Sequence, residues 1–240
     1  MAMKLLILDL NGLLLWRARR GQLPKAITCT PDAKCGAHTV FLRPHARDFV
    51  TWCGHRFLVV VWSTAMRQNV NPLVDLLFRG LPRPIATLDQ SHCTPSGMLH
   101  PANRHKPLVF KLLPTVWEHD AVKAHGHYEP HNTLLVDDSP YKAARNHHHT
   151  ALHPPEWSPL EVDPSRSDAL GPGGNIRLVL EEIANAADLR DVVSRVNSTA
   201  SPFWIRPSED ALYSQLRRQH GPVEMIPSEM PADYLHGRGR

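Results

Sequence analysis

The sequence predicts a three-layer α/β domain, in which helices cover both faces of a central parallel sheet. Three apolar runs carry this prediction: Leu5–Leu8, Phe57–Trp62 and Leu134–Val136. None of them alternates with polar residues, which is typical of strands buried on both faces. Each run is followed at once by a polar residue, and these are Asp9, Ser63 and Asp137. Segments with helical spacing separate the runs, as is characteristic of α/β domains.

The composition limits the class of protein. The chain has 240 residues, of which 42% are hydrophobic and 21% charged, so it can form one well-buried domain. Four cysteines without a Cys-x-x-Cys pair argue against zinc and for free thiols. The net charge of +4 permits an anionic partner, but no motif points to direct nucleic-acid binding. Without an apolar stretch that could span a membrane or a presequence, we expect a soluble intracellular protein.

A small antiparallel β-flap is predicted between the first strand and the first helix, over about residues 16–42. Ala26–Thr30 and His38–Leu42 are prone to β-structure, and Gly and Pro residues separate them. A helix should open at Arg43-Pro44-His45, because proline suits the first turn of a helix. Its apolar face would consist of Ala46, Phe49, Val50 and Cys53.

The middle of the chain is predicted to continue the alternation of helices and strands. After the strand at 57–62, the spacing of apolar residues and the positions of breakers define six further segments. They are a helix over 69–78, a weak strand over 85–88, a polar loop over 90–103, a helix over 105–117, a helical turn over 141–146 and a short strand over 150–152. Pro114 is expected to break or kink the helix that contains it.

The carboxy-terminal third is predicted to begin with one amphipathic helix. Apolar residues between Ile176 and Ala187 recur with helical spacing, and residues 191–196 extend this helix or form a second one. Beyond them the pattern decays into Ser, Pro and charged residues. We therefore place the domain at residues 1–197 and expect 198–240 to be a loosely packed tail, with one helical piece around 209–217.

Polar groups from distant parts of the chain are predicted to meet at one edge of the sheet. Right-handed crossovers bring the carboxyl ends of parallel strands together, and with them Asp9, Ser63 and the pair Asp137-Asp138. Lys106 would reach the same edge from the helix predicted over 105–117. Singly, such residues are most often solvated, capping or surface groups. Their combination, in this order, indicates phosphoryl transfer.

This set of residue types suits phosphoryl transfer for three physical reasons. A carboxylate can attack phosphorus and form an aspartyl-phosphate, which divides the reaction into two steps. Two close carboxylates repel one another, and Mg²⁺, which prefers oxygen ligands, relieves that repulsion. A hydroxyl and a lysine can hold the remaining phosphate oxygens, since positioning and charge neutralisation dominate this chemistry.

Over roughly residues 4–185 the chain resembles the haloacid dehalogenase superfamily, and within it the NLI-interacting-factor-like small phosphatases that act on the carboxy-terminal domain of RNA polymerase II. The motifs that carry the resemblance are Leu8–Leu14, Leu42–Phe49, Val61–Ala65 and Leu135–Pro140. Lys106 resembles the lysine of the third motif, and Lys111 is a second candidate. The wordings Asp-Gln-Ser-His-Cys-Thr and Asp-Asp-Ser-Pro-Tyr-Lys are similar to a plant and algal branch. The resemblance implies a haloacid dehalogenase-like, Rossmannoid three-layer sandwich.

The resemblance also implies a role for each candidate residue. The catalytic set would be Asp9, Asn11, Ser63 and Lys106, with Asp9 as the nucleophile. Phosphate would be bound by Ser63, Thr64 and Lys106. Mg²⁺ would be held by Asp9, the backbone carbonyl of Asn11 and Asp138, with Asp137 in support.

Asn11 departs from the family pattern, in which an aspartate at this position protonates the leaving group and later activates water. The amide keeps the backbone carbonyl for the metal but cannot carry a proton near neutral pH. Loss of such a general acid–base group typically costs about 10²–10⁴ in rate. We therefore expect an impaired or specialised enzyme.

Two functions follow from the resemblance. The first is an Mg²⁺-dependent phosphatase of phosphoserine or phosphothreonine in a protein or peptide, with the RNA polymerase II carboxy-terminal domain as one candidate substrate and the nucleus or cytoplasm as the location. The second is a non-catalytic peptide-binding module, similar to the presequence-receptor subunit of the mitochondrial inner-membrane import translocase. That alternative would make the translocase the partner and the mitochondrial inner membrane the location. The run His147–His149 would face the site or solvent, with a metal role as the weaker interpretation.

Overall fold

The computed structural model describes residues 3–19, 21–199, 201 and 203–223, and strands and helices alternate along them. The strands are β1 (Lys4–Leu8), β2 (Leu15–Arg19), β3 (Ala33–Cys35), β4 (His38–Leu42), β5 (Phe57–Trp62), β6 (Ala86–Leu88), β7 (Thr94–His100), β8 (Asn103–Phe110), β9 (Thr133–Val136) and β10 (Ala151–Leu152). The α-helices are α1 (Ala46–Gly54), α2 (Arg67–Leu77), α3 (Leu113–Trp117), α4 (Asp120–Lys123), α5 (Pro164–Ser167), α6 (Asn175–Asn185), α7 (Leu189–Ser198) and α8 (Ala211–His220). Short 3₁₀ turns occupy Gln90–His92, Pro140–Ala143 and Pro207–Glu209.

A parallel sheet with the strand order β10-β9-β1-β5-β6 forms the centre of the domain. In this register Leu8 lies opposite Val61 on one side and Val136 on the other. The three long apolar strands therefore end level with one another, and the polar residues that follow them leave the sheet at one edge. This architecture confirms the predicted α/β sandwich with a central parallel sheet.

The two faces of the sheet pack into two separate apolar cores. Successive side chains of a strand point to opposite faces. Accordingly Leu6 and Leu8 pack with α1, α2, α6 and α7, whereas Leu5 and Ile7 pack with α3, α4 and Tyr128. All four of these β1 side chains have no solvent exposure. The continuous apolar run of β1 is thus explained by burial on both faces.

The flap is a three-stranded antiparallel sheet with the order β2-β4-β3. His38–Leu42 is a strand as predicted, but Ala26–Thr30 is not. The partners of β4 are instead β2 and β3, which lie at residues 15–19 and 33–35. Residues 21–30 are almost entirely exposed, and β-propensity without a neighbouring strand does not suffice to form one.

A second hairpin, formed by β7 and β8, corrects the prediction for residues 90–117. The expected loop contains a strand, and the expected helix is a strand as far as Phe110. Pairing of the two strands supplies the backbone hydrogen bonds that a helix would have made. The true helix, α3, is short and has Pro114 in its first turn, so this proline begins a helix rather than breaking one.

The first helix has the predicted buried face but a different start. Ala46, Phe49, Val50 and Cys53 are all buried. The helix begins at Ala46, however, and Pro44 lies before it. His45 precedes the helix with a φ of 63°, in the left-handed region, so the chain reverses there before the helix starts.

The described part of the carboxy-terminal segment, residues 203–223, packs against the domain instead of forming a loose tail. Asp210 caps α8 by accepting a hydrogen bond from the Tyr213 N–H, and Leu216 is fully buried in a core with Phe110 and Tyr141. Arg217 donates to the backbone carbonyls of Ala144 and Asn146 at 2.8 and 2.9 Å. Residues 224–240 of the predicted tail lie outside the described residues. Among the described helices, none is both long and apolar enough to cross a bilayer.

We predict that Leu216→Ala lowers the free energy of unfolding by about 2–5 kcal/mol, because it leaves a cavity under α8. Leu178→Ala is the matched control, since Leu178 lies on α6 with 58% of its surface exposed. Urea unfolding of both variants measures the difference. Equal, small losses in the two variants would show that α8 does not belong to the cooperatively folded unit.

Candidate active site

A cavity of about 580 Å³ opens at the carboxyl edge of the central sheet. The candidate residues that line it are Asp9, Asn11, Ser63, Thr64, Lys106 and Asp138. Asp137 is fully buried directly beneath the site and contacts its charged groups. The register of β1, β5 and β9 explains this convergence, because it sets the residues after the three strands side by side.

Asp9 is held by two lysines. Lys111 Nζ lies 3.1 Å from its Oδ1, and Lys142 Nζ lies 3.1 Å from its Oδ2. The Leu10 N–H also donates to Oδ1, at 2.8 Å. The Asp9 side chain is only 4% exposed, so its orientation is fixed by these contacts rather than by water.

Asp137 joins the same two lysines from below. Lys111 Nζ is 2.5 Å from its Oδ2, and Lys142 Nζ is 2.8 Å from its Oδ1. Burial alone would raise the pKa of Asp137, but the charges of Lys111 and Lys142 outweigh burial and hold that pKa well below its usual value. Burial would likewise lower the pKa of Lys142, yet the surrounding carboxylates raise it well above its usual value. The four groups form a closed cluster of two cations and two anions, called the lysine–aspartate cluster below.

Asp138 lies at the edge of this cluster and faces the cavity. Its nearest cation is Lys142, at 3.6 Å. Burial, opposed in part by Lys142 and reinforced by Asp137 and Asp9, raises the pKa of Asp138 to about 8. Asp9, Asp137 and Asp138 each place one carboxylate oxygen within 4.8 Å of the others, and among the described residues no other such group of potential ligands occurs. This oxygen-only donor set, with one carboxylate poorly compensated, fits a hard cation such as Mg²⁺.

Asn11 turns its side chain towards the flap. Its Oδ1 accepts a hydrogen bond from the Arg17 N–H of β2, at 3.2 Å. The next residue, Gly12, has a φ of +83°, and a Cβ there would lie 2.7 Å from Asp138 Oδ2. A side chain at position 12 would therefore displace the carboxylate, so this glycine allows the close approach of Asp138 to the turn after β1.

Ser63 and Thr64 form the wall of the cavity that follows β5. Ser63 is nearly buried, and its Oγ accepts a hydrogen bond from the Ala65 N–H at 3.3 Å. The Ser63 N–H donates to Leu88 O, and the Gln90 N–H donates to Ala65 O. The turn after β6, where the sequence reads Asp-Gln-Ser-His-Cys-Thr, thus fixes the backbone of this wall.

The structure separates the two candidate lysines. Lys106 lies on strand β8, not on a helix, and it is an exposed residue at the rim of the cavity. Lys111 follows the same strand and is fully buried in the lysine–aspartate cluster, where it also donates to Trp62 O at 2.6 Å. Because β8 is extended, it carries the chain from the rim of the cavity at Lys106 to the interior of the cluster at Lys111 within five residues.

Lys142 was missed by the sequence reasoning. It lies four residues after Asp138, within the wording Asp-Asp-Ser-Pro-Tyr-Lys. The 3₁₀ turn that begins at Pro140 carries its side chain back to the strand ends. A lysine shortly after paired aspartates and a proline was a usable signal, but only the turn geometry shows that it points inward.

Other polar residues support the site or lie elsewhere. Asn146 accepts from the Leu113 N–H and donates to Lys111 O at 2.8 Å, which fixes the backbone that carries Lys111. His153, which is fully buried, contacts Asp137 O through Nδ1 at 2.7 Å. The run His147–His149 lines a different cavity, with Asp188 and Arg190.

Comparison with known proteins gives the family and several similar proteins. The model of the NLI interacting factor-like phosphatase family matches residues 4–190. An uncharacterised FCP1 homology domain-containing protein of Schizosaccharomyces pombe is 29% identical over 153 residues, which are 62% of this chain and 60% of that protein. The chain therefore spans about three fifths of the length of this curated relative.

Two solved structures are also similar to this chain. They are the fission yeast RNA polymerase II CTD phosphatase Fcp1 bound to beryllium fluoride, at 10% identity, and Fcp1 described as an essential RNA polymerase II CTD phosphatase, at 11% identity. Each has a TM-score of 0.44 and covers 90% of this chain and 61% of the other. The assignment to a family rests on the match along residues 4–190. The chain belongs to the NLI interacting factor-like phosphatase family.

Proposed function

We propose that this protein is an Mg²⁺-dependent phosphatase of phosphoserine or phosphothreonine in proteins, with turnover limited by Asn11. The observation that carries the proposal is the position of Asp9, whose carboxylate is held by two lysines at a cavity where Asp138 completes an oxygen donor set. The family of the chain supports the same chemistry. The RNA polymerase II carboxy-terminal domain is our candidate substrate, and the nucleus or cytoplasm our candidate location.

The first chemical step would be attack by Asp9. One carboxylate oxygen forms a bond to phosphorus while the bond from phosphorus to the serine oxygen breaks, and the departing oxygen keeps the electron pair. Water then attacks the aspartyl-phosphate, which releases phosphate and regenerates Asp9. Lys111 and Lys142 hold the carboxylate in place throughout, and Ser63 and Thr64 are placed to bind the phosphate oxygens. Mg²⁺ held by Asp9, the Asn11 carbonyl and Asp138 would neutralise the charge on the phosphoryl group.

The rim of the cavity supports an anionic macromolecular substrate. Arg17, Arg19 and Lys106 line it, and within the described residues none of the three makes an ion pair. An uncompensated positive rim around a deeper anionic centre attracts a phosphorylated chain and leaves room for its neighbouring residues. A small-molecule site would more often enclose its ligand on all sides.

We predict that Asn11→Asp raises kcat/KM for a phosphoserine peptide by at least about tenfold, and by up to the roughly 10²–10⁴ that a general acid typically contributes where no other group carries the proton, because it places a proton carrier beside the leaving group. Asp9→Asn should abolish turnover of the peptide and of nitrophenyl phosphate. Steady-state kinetics with freshly prepared protein measure both effects, since Asn11-Gly12 can deamidate on storage. Activity that survives Asp9→Asn would contradict the proposal, and a protein inactive even as Asn11→Asp would favour the peptide-binding module.

We predict that Mg²⁺ at 100 times its Kd raises the free energy of unfolding by about 2.7 kcal/mol, because the ion binds only the folded state. Asp138→Asn should remove this gain without destabilising the metal-free protein, since burial already favours the uncharged form of this carboxyl by raising its pKa to about 8. Asp75→Asn, an exposed carboxylate on α2, is the control and should keep the full gain. Chemical unfolding with and without Mg²⁺ measures the difference. The same gain in all three proteins would rule out this site for the metal.

We predict that Lys111→Met lowers the free energy of unfolding by about 3–5 kcal/mol, because it leaves buried carboxylates without one of their two cations. Lys106→Met should change it by less than about 0.5 kcal/mol, because that side chain is exposed. Urea unfolding of the two variants compares the same chemical change at two positions five residues apart. A larger loss for Lys106→Met would contradict the placement of Lys111, rather than Lys106, in the lysine–aspartate cluster.

A further inference from the structure

The proposed reaction leaves one task without a residue. When the bond between phosphorus and the serine oxygen breaks, the departing oxygen needs a proton, and Asn11 cannot supply one. The Asn11 side chain is moreover engaged with the flap, because its Oδ1 accepts the Arg17 N–H. If the reaction depends on proton transfer, another group of the cavity must perform it.

Three carboxylates are found among the described residues that line the cavity: Asp9, Asp138 and Glu156. Asp9 is the proposed nucleophile, and Asp138 is the proposed metal ligand beside Lys142. Glu156 has no task in the mechanism. Within the described residues its carboxylate makes no ion pair and no hydrogen bond, and it is exposed to the cavity. It is therefore free to exchange protons with substrate or water.

The next residue in the chain, Trp157, anchors Glu156 beside the turn that contains Asn11 and Gly12. The Trp157 N–H donates to Gly12 O at 2.8 Å, and the Trp157 side chain is buried. The Cγ of Glu156 lies 3.0 Å from the point that a Cβ on Gly12 would occupy, and Asp138 Oδ2 lies 2.7 Å from the same point. The glutamate thus sits against the turn after β1, beside the residue whose proton carrier is missing.

Two other cavity residues could in principle carry a proton. Burial and the charges of Arg17 and Arg19 lower the pKa of His38, and this residue reaches the cavity from strand β4 of the flap. Lys106 carries its ammonium group at the rim of the cavity. It also reaches the cavity from the hairpin of β7 and β8, whereas Glu156 adjoins the turn after β1.

We infer that Glu156 is a catalytic residue that takes the place of the missing aspartate as general acid and general base. The inference rests on the proposed function. In the first step the protonated carboxyl of Glu156 gives its proton to the serine oxygen as the bond to phosphorus breaks, and becomes a carboxylate. In the second step this carboxylate takes a proton from the attacking water, so the cycle returns Glu156 to its protonated form.

The test compares good and poor leaving groups. Glu156→Gln should lower kcat/KM for a phosphoserine peptide by about 10²-fold, but that for nitrophenyl phosphate by less than about fivefold, because nitrophenolate departs without a proton. The value of kcat/KM reports on the step up to transfer of phosphate to Asp9. Glu129→Gln, the same change at an exposed glutamate that precedes β9 and does not line the cavity, is the control and should leave both values unchanged. Because Glu156 is exposed, an unaltered thermal unfolding curve is expected for its isosteric variant.

The second half of the test uses an Asn11→Asp background. With the aspartate restored, Glu156→Gln should cost less than about tenfold on the peptide, because one proton carrier then suffices. Equal losses on the two substrates, or an undiminished loss in this background, would overturn the inference while the proposed function stands. A loss of Mg²⁺-dependent stabilisation in Glu156→Gln would also overturn it, because it would make Glu156 a metal ligand. Hydrolysis absent from every variant would overturn the proposed function and this inference together.

Discussion

The lysine–aspartate cluster is the interaction on which the rest of the structure depends. Isolated charges inside a protein are strongly disfavoured, and they become tolerable only when each one is paired and hydrogen-bonded. Here two ammonium groups alternate with two carboxylates, and all four side chains are almost completely buried. The acids follow β1 and β9, whereas one lysine follows β8 and the other lies on the turn after β9. The cluster can therefore form only if sheet, hairpin and turn all adopt their native positions.

The supports of this cluster extend beyond the family match, which ends at residue 190. Asn146 bonds to the backbone of Lys111 and Leu113, and Arg217 of α8 bonds in turn to the backbone of Asn146. Leu216 packs against Tyr141, which is next to Lys142 in the chain. Through these contacts α8 fixes the turn that carries Lys142, and through Asn146 it also fixes the backbone of Lys111. Residues 203–223 are thus part of the framework of the candidate site.

Elements whose residue pattern is set by burial could be predicted from the sequence. Elements that form because two distant segments pair with each other could not. A strand such as β1, buried on both faces, must be apolar throughout, so its limits and the polar residue after it can be identified. The hairpin of β7 and β8 exists because two weakly apolar segments pair with each other, and neither one shows this alone. That single error placed Lys106 on a helix, whereas it lies on β8 at the rim of the cavity, and it hid the buried position of Lys111. Lys142 was missed for a related reason, since its direction is set by a 3₁₀ turn rather than by a sheet edge.

The replacement of aspartate by Asn11 separates two tasks within the proposed site. An amide has nearly the shape of a carboxylate and keeps the backbone carbonyl, so in the proposed mechanism it would leave charge neutralisation around Asp9 intact and remove proton transfer by this residue. A site kept only to bind a phosphorylated ligand would gain nothing from Asp9, whose negative charge repels phosphate at short range. Two buried lysines nevertheless hold that carboxylate in a fixed orientation at the cavity. This use of buried charge around the proposed nucleophile supports the proposed catalysis over binding alone.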